Sequence, residues 1–559
     1  MPMNDAARDD ALTGGQALVR RLTAEGVDTV FLIPGVQLDW AVDALAQTPG
    51  MRMIVPRHEQ SASYMADGYA RVSGKAGVAM VVPGPGILNA GAGLATAYAC
   101  NSPVLMLVGQ IHADSVAQGH GNLHELRDQT RVLEGIVKWN ARVTARDRLE
   151  STLNAAFREM FNGRTGPVSV EIPYNFLIEN APPGTPLPPG APDPARAPDA
   201  RAIRAAADLL NDAEFPLVYV GGGSAGAIDQ IRELADRIGL PVIGSENARG
   251  HLPDSHPLSF TELEGRELFA RADVVLVLAS RFMEAMTARP SWPQKGKRWI
   301  YLNCESAHLS APRKADCAIC ADASLGLRSL LPLLKRHEVV SQAESGRIKA
   351  RADERISALG DLASYVGALR RALPRNGIFV NELTQVGYLA RVAFRVEDPA
   401  TYIGPGYQGT LGYAYPTALG AAIAGAGRRV YAISGDGGFG WSCSEMATAM
   451  RYDLPVTLVV FNDGHFGNVR GIQRRTFGRE AAVALRNPDF EKLAAAYEMP
   501  FARADGPAAL EAALKRSNAL AGPMLIEAPV GEMASPWPLL RLRPPFGTDE
   551  TDDDTEAPS

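Results

Sequence analysis

The residues of this chain best suited to chemistry are two carboxylates on two turns. Asp436 sits in Ser434-Gly435-Asp436-Gly437-Gly438 and Asp463 in Asn462-Asp463-Gly464, each ending a strand-like run, RRVYAIS and PVTLVVF, with a helical stretch between them. Neighbouring parallel strands bring both turns to one sheet edge. There the carboxylates can share a hard cation such as Mg²⁺, and the backbone N–H groups of Gly437 and Gly438, at a helix start, can meet the diphosphate oxygens that complete an octahedral shell. Taken singly, each turn is an ordinary strand-to-helix connection; at this spacing the two read as one metal and diphosphate site. A third carboxylate, Glu59 in VPRHEQSASYMADGYA, follows another strand end, as either an exposed helix residue or a group turned to chemistry. His112, His120 and His124 share one polar loop, as proton shuttles or as surface histidines.

These residues need a scaffold that gathers strand ends. The 559 residues suffice for about three or four domains. Apolar strand-like runs alternate with amphipathic stretches in three sets: VDTVFLIPG to GPVSVEIP, FPLVYVGGG to RWIYLNC, and GIFVNELT to PMLIEAPV. That alternation predicts an α/β protein of three doubly wound parallel-sheet domains, with ligands at the carboxyl ends of the strands. The expected units are residues 1–182, a proline-rich linker at 183–200, a central domain at 201–336, a connecting helix at 337–372, a third domain at 373–540 and an acidic tail at 541–559.

Composition narrows the function. Hydrophobic residues make up 46% and charged residues 21%, with a formal net charge of −6, values of a globular enzyme. No basic stripe with interleaved aromatics marks a nucleic-acid surface. The acidic N-terminus lacks the features of a signal peptide, and no apolar run is long enough for a membrane span, so a cytoplasmic location is expected. Cys317 and Cys320 form the single C-x-x-C and are expected to be a buried structural pair. The GGGSAG turn at 221–226 invites a dinucleotide reading, but no acidic residue follows at a convincing strand end.

The GDG turn at 435–437 followed by Asn462-Asp463 resembles the signature of the thiamine-diphosphate (ThDP) enzymes, GDG and then NN. The resemblance implies metal ligation by Asp436, Asp463 and the backbone carbonyl of His465, with cofactor contacts from Gly435, Gly437, Gly438, Phe466 and Gly467. Asp463 stands where the family usually has asparagine, an anionic ligand in place of a neutral one. Glu59 falls on the family's glutamate that hydrogen-bonds the aminopyrimidine and favours the tautomer that deprotonates the thiazolium carbon. Gly409 and Leu411 in GTLGYAYP resemble the loop whose bulky apolar residue bends the cofactor into a V. Pro85, Asn89, Thr384 and Gln385 match positions near the pyrimidine and the diphosphate. In this family the glutamate's domain meets the metal-binding domain of a neighbouring subunit, which implies a homodimer or homotetramer with sites between subunits.

Within the family the chain is most similar to the acetolactate synthase and benzoylformate decarboxylase branch, through Lys138-Trp139-Asn140, Gly109-Gln110 and VNELT at 380–384. The implied substrate is a small 2-oxo acid, decarboxylated and then ligated as by acetolactate synthase. Simple decarboxylation, 2-hydroxyacyl-CoA cleavage and a catalytically silent ThDP-binding regulator are the alternatives. Gln37, Gln110 and Asn468 join Glu59 as expected catalytic residues. Substrate-side positions depart from both relatives: Val36 and Gln37 follow Pro34-Gly35, Leu123 replaces a phenylalanine, Ile472 a tryptophan, and Ala285 a second arginine after Arg281. The decarboxylase's histidine before its GPG-like turn is missing from MVVPGPG. FAD, carried by the synthases in the central domain, is possible but not favoured, because its contacting stretches are poorly matched.

Overall fold

The structure is a computed structural model of one chain, describing residues 11–182, 184–282, 296–310 and 314–540. The expected acidic tail and the Ala285 position lie outside the described residues. Eight strands precede the proline-rich stretch: β1 (Leu12–Thr13), β2 (Thr29–Leu32), β3 (Arg52–Ile54), β4 (Gly77–Val81), β5 (Val104–Gln110), β6 (Trp139–Arg142), β7 (Val168–Pro173) and β8 (Asn180–Ala181). All but β1 and β8 form one parallel sheet in the order β3-β2-β4-β5-β7-β6, while β1 pairs antiparallel with β8. The central strands are buried on both faces, which is why they read as unbroken Val, Leu and Met runs.

The second sheet comprises β9 (Pro216–Val220), β10 (Val242–Gly244), β11 (Ser259–Phe260), β12 (Val274–Leu278), β13 (Arg298–Asn303) and β14 (Cys317–Cys320), in the order β11-β10-β9-β12-β13-β14. The third comprises β15 (Ile378–Val380), β16 (Tyr402–Ile403), β17 (Val430–Gly435), β18 (Val456–Asn462), β19 (Phe501–Arg503) and β20 (Met524–Pro529), in the order β16-β15-β17-β18-β20-β19. The first and third sheets thus share one winding, and the second has another. Inside each sheet the order reverses between two neighbouring strands, between β2 and β4, between β9 and β12, and between β15 and β17. At such a reversal consecutive connections leave in opposite directions and open a crevice beyond the strand ends.

One apolar core joins the first and third sheets through two crossing helices, Glu59–Ser73 and Ala414–Ala424. The second of these, AYPTALGAAIA, is buried all round, so it shows no polar stripe. Glycine sets the closeness of the crossing. A Cβ on Gly68 would lie 2.1 Å from the Thr417 carbonyl oxygen, and one on Gly420 would lie 2.0 Å from that of Met65. A half-buried arginine ties in the central domain: Arg71 donates to the carbonyl of Gly404, the hydroxyl of Tyr413 and Asn247 Oδ1.

Two local expectations need correction. The connecting segment is two helices, Gln342–Ser357 and Asp361–Ala372, broken at Gly360, whose φ of 62° is left-handed. The second helix buries Leu362, Val366 and Leu369 in the core of the third sheet, so it is part of that layer. Cys317 and Cys320 are not a buried pair. Strand periodicity sends residues three apart to opposite faces, and Cys317 is buried while Cys320 is half-buried beside Arg196.

Candidate functional site

Asp436 and Asp463 follow β17 and β18, which pair in parallel with Gly435 opposite Phe461, so both turns open on the same edge. The Asp436 carboxylate is buried, and its Oδ2 accepts from Gly464 N at 3.0 Å and Asn487 Nδ2 at 2.5 Å. Asn487 also donates to Asn462 Oδ1 at 2.9 Å and so staples the two turns. Asp463 Oδ1 accepts from His465 N at 2.9 Å, and the His465 ring sits against the Asp463 carbonyl. A Cβ on Gly467 would lie 2.3 Å from Asp463 Oδ2, and one on Gly437 2.6 Å from the Phe466 ring. The glycines therefore let the second turn close over the first, ahead of the Gly467–Phe477 helix.

Both carboxyls titrate above their ordinary range, chiefly through burial. For Asp436 the Asp463 charge adds to the rise. The site fits a divalent cation: two hard oxygen donors meet at one sheet edge, and a cation there would relieve their repulsion. Among the described residues no group of three or more His, Cys, Asp or Glu side chains forms a metal cluster. This donor set therefore suits a metal whose remaining ligands are backbone and phosphate oxygens.

The turn is supported from below by Glu382, which the sequence reading did not single out. It lies at the reversal between β15 and β17, accepts from Gly412 N at 3.0 Å and Ala414 N at 3.2 Å, and is 2% exposed. Burial pushes its carboxyl up to about 7 against these backbone N–H groups. A Cβ on Gly438 would lie 2.2 Å from Glu382 Oε1, so only glycine allows the GDG turn to rest on the carboxylate. The same contacts fix the loop in which Gly409 and Gly412 have left-handed φ values and Leu411 is 41% exposed. An apolar side chain is thus held outward by a pinned backbone. Thr384 caps the Gln385–Ala393 helix by accepting from Gly387 N, and its methyl lies 3.6 Å from the Cβ position of Gly435. Gln385 Oε1 is buried without a partner.

Glu59 opens its helix, half-buried, and accepts from Asn89 Nδ2 at 3.0 Å. Asn89 lies on the Pro85–Cys100 helix, with Pro85 in its first turn after Gly84. The structure thus brings Glu59, Asn89 and Pro85 together after the strand ends of the first sheet. Gln37 follows β2 at the same sheet's reversal and is buried. Gln129, missed from the sequence, bridges Gly84 N and Gly109 O and locks the two turns together. Gln110 is committed internally: Nε2 donates to Glu171, and Oε1 accepts from Ile111 N. Asn468 is likewise engaged, accepting from Trp537 Nε1 at 2.9 Å and donating to the Tyr388 hydroxyl at 3.3 Å. In the sequence these supports are a lone N-P turn at Asn487 and isolated Gln and Glu residues, common features without local pattern.

In the central sheet, a Cβ on Gly221 would lie 2.3 Å from the Ala279 carbonyl oxygen and one on Gly222 2.9 Å from the Asn247 side chain. The glycines of the GGGSAG turn are used there in packing against the chain itself.

Comparison with known proteins gives this geometry a family. Residues 12–132 match the description "Thiamine pyrophosphate enzyme, N-terminal TPP binding domain", residues 203–330 the central domain of the same enzymes, and residues 384–528 their C-terminal TPP binding domain. The chain is 33% identical over 525 residues to "Probable 2-ketoarginine decarboxylase AruI" of Pseudomonas aeruginosa, covering 92% of this chain and 94% of that protein. It is 30% identical over 571 residues to an acetolactate synthase of Mycobacterium bovis, covering 95% and 90%. It is 29% identical over 549 residues to the "Acetolactate synthase isozyme 1 large subunit" of Escherichia coli, covering 94% and 96%. Two sheets of one winding, each presenting polar groups at its reversal, and matches along nearly the whole chain agree: the protein is an enzyme of the ThDP-dependent family, in its acetolactate synthase and decarboxylase branch.

Proposed function

We propose that the protein is a Mg²⁺-dependent ThDP enzyme that decarboxylates a small 2-oxo acid and ligates the product to a second carbonyl compound, as an acetolactate synthase does. The observation that carries this reading is the pair of carboxylates, Asp436 and Asp463, closing one edge of the third sheet, with Glu59 and Asn89 at the matching edge of the first. Asp436, Asp463 and the His465 carbonyl would hold Mg²⁺, and Gly435, Gly437, Gly438, Phe466 and Gly467 would surround the diphosphate. Bound ThDP supplies the heterocycle that accepts the electrons released with CO₂. Glu59 would hydrogen-bond the aminopyrimidine and hold its proton, Leu411 would press between the rings, and Thr384 and Gln385 would face the cofactor from the third sheet. Gln37 is the candidate side chain nearest the substrate, while Gln110 and Asn468 act through the partners they hold in place.

The site is completed in a homodimer or homotetramer. Support comes from large apolar side chains left exposed on the loops and helices around these edges, Leu88, Leu123, Leu411 and Trp441, which a partner surface would cover. A second reading, decarboxylation without ligation, is favoured by the 33% identical relative, which is named as a decarboxylase.

The test is CO₂ release from a panel of 2-oxo acids by the chain supplied with ThDP and Mg²⁺, with product analysis for ligated and free aldehyde. The expected result is turnover that Glu59→Gln abolishes. Absence of CO₂ from every 2-oxo acid, or an unchanged rate in Glu59→Gln, contradicts the proposal. A product that is aldehyde alone selects the second reading.

A further inference from the structure

Two helices and a loop that carry candidate cofactor residues converge, away from those residues, on one turn of the central domain. The turn is Glu246–Ala248 with Arg249, which follows β10, and Ser245 N ties it to the end of β9 by donating to the Val220 carbonyl at 2.9 Å. Asn247 Oδ1 accepts at 3.1 Å from Arg71, in the last turn of the helix that Glu59 opens. Glu246 pairs at 3.4 Å with Arg391, near the end of the helix that Thr384 caps and Gln385 begins. Arg249, 5% exposed and paired with Asp254, donates to the carbonyls of Arg391 and Phe394 where that helix ends. The loop runs from Gly404 to Leu411: a Cβ on Gly404 would lie 2.3 Å from Glu246 Oε1, and the Gly404 carbonyl accepts from Arg71.

Contacts of this kind fix direction as well as distance. A guanidinium holds its acceptors in the plane of a rigid fork, and a cation against the last carbonyls of a helix opposes their partial charge. The rise of a helix puts Arg71 about 18 Å from Glu59 and Arg391 about 9 Å from Gln385. A stiff helix held at one end sets where its other end stands. The residues assigned to the cofactor belong to the first and third domains, so the central domain acts on them at a distance.

We propose that the Glu246–Arg249 turn is the positioning element of the cofactor site, setting through Arg71 and Arg391 where Glu59 and the Thr384–Gln385 helix start stand. This inference rests on the reading of those residues as a ThDP site. With sites shared between subunits, the two helices of one chain serve different sites, and the turn fixes the half that its chain gives to each.

The test compares the full chain with Glu246→Gln, Arg391→Gln and the double variant, and with Asn247→Ala as an independent break of the Arg71 contact. Calorimetry reads ThDP affinity in the presence of Mg²⁺, steady-state kinetics read kcat per bound ThDP and KM for the 2-oxo acid, and Tm is followed on the cofactor-free chain. Each single variant is expected to lower ThDP affinity about threefold to tenfold. It lowers kcat per filled site about tenfold or more while KM changes by less than about twofold. The double variant is no worse than the weaker single one, because Glu246 and Arg391 act through one contact. A merely structural pair would lower Tm and the number of filled sites but leave ThDP affinity and kcat per filled site at the wild-type values; that result overturns the inference, as do additive losses in the double variant. A wild type that binds ThDP yet releases no CO₂ from any 2-oxo acid contradicts the proposed reaction, and the affinity series still decides the inference. A wild type that binds no ThDP overturns both.

Discussion

Glu382 ties the stability of the third sheet to pH. Its carboxyl is raised from 4.5 to about 7, because burial outweighs the N–H groups of Gly412 and Ala414 and the Ser434 side chain that favour the anion. At about 1.4 kcal/mol per pH unit between these values, roughly 3 kcal/mol of stability depends on its protonation. The sign follows from which state holds the proton. Below about 4.5 both folded and unfolded chains are protonated and the contribution is complete; as pH rises through about 7 the folded chain must ionise a buried group and the contribution is lost. Glu382→Gln keeps the shape and stays neutral, so the variant gains on the wild type by roughly 3 kcal/mol between about pH 5 and pH 8. For a unit of this size that is about 6 to 12 °C in Tm. Calorimetric unfolding of the cofactor-free chain and the variant at both pH values measures it. An equal Tm difference at the two values refutes the reasoning, and a wild type that gains with pH shows that the backbone N–H groups outweigh burial.

Other consequences are simpler to read. Gly420→Ala places a methyl 2.0 Å from the Met65 carbonyl oxygen, so the two helices must part at a cost of about 1 to 3 kcal/mol, visible as a lower Tm. Asp463→Asn removes a like charge beside Asp436; stability without metal at neutral pH rises by about 1 kcal/mol, while Mg²⁺ added alone binds more weakly, as titration followed by Tm will show. Trp537→Phe keeps the ring against Tyr388 but loses the N–H bond to Asn468, lowering stability by about 1 kcal/mol in denaturant unfolding.

The sequence disclosed the centre of each sheet better than its edges. β4, β5, β17 and β18 are buried on both faces and therefore carry apolar runs that announce themselves, whereas β6 (WNAR) and β19 (FAR) are short edge strands held by one neighbour and carry no such pattern. The same contrast governs the site. Asp436 and Asp463 were legible because a strand, a turn and a helix lie contiguous in the chain around each. Asn487, Glu382 and Gln129 reach the turns from distant segments, and nothing local marks a residue whose partners are set by tertiary packing. The engagement of Asn468 by Trp537 depends on the C-terminal segment folding back, which spacing alone does not encode.

The central claim, that Asp436 and Asp463 hold the diphosphate through a divalent metal, is tested most directly by calorimetric titration of ThDP into the chain with Mg²⁺, with EDTA, and with Mg²⁺ in Asp436→Asn. The account predicts binding in the first case and a loss of at least about tenfold in affinity in the other two. Equal affinity for ThDP in all three would contradict it.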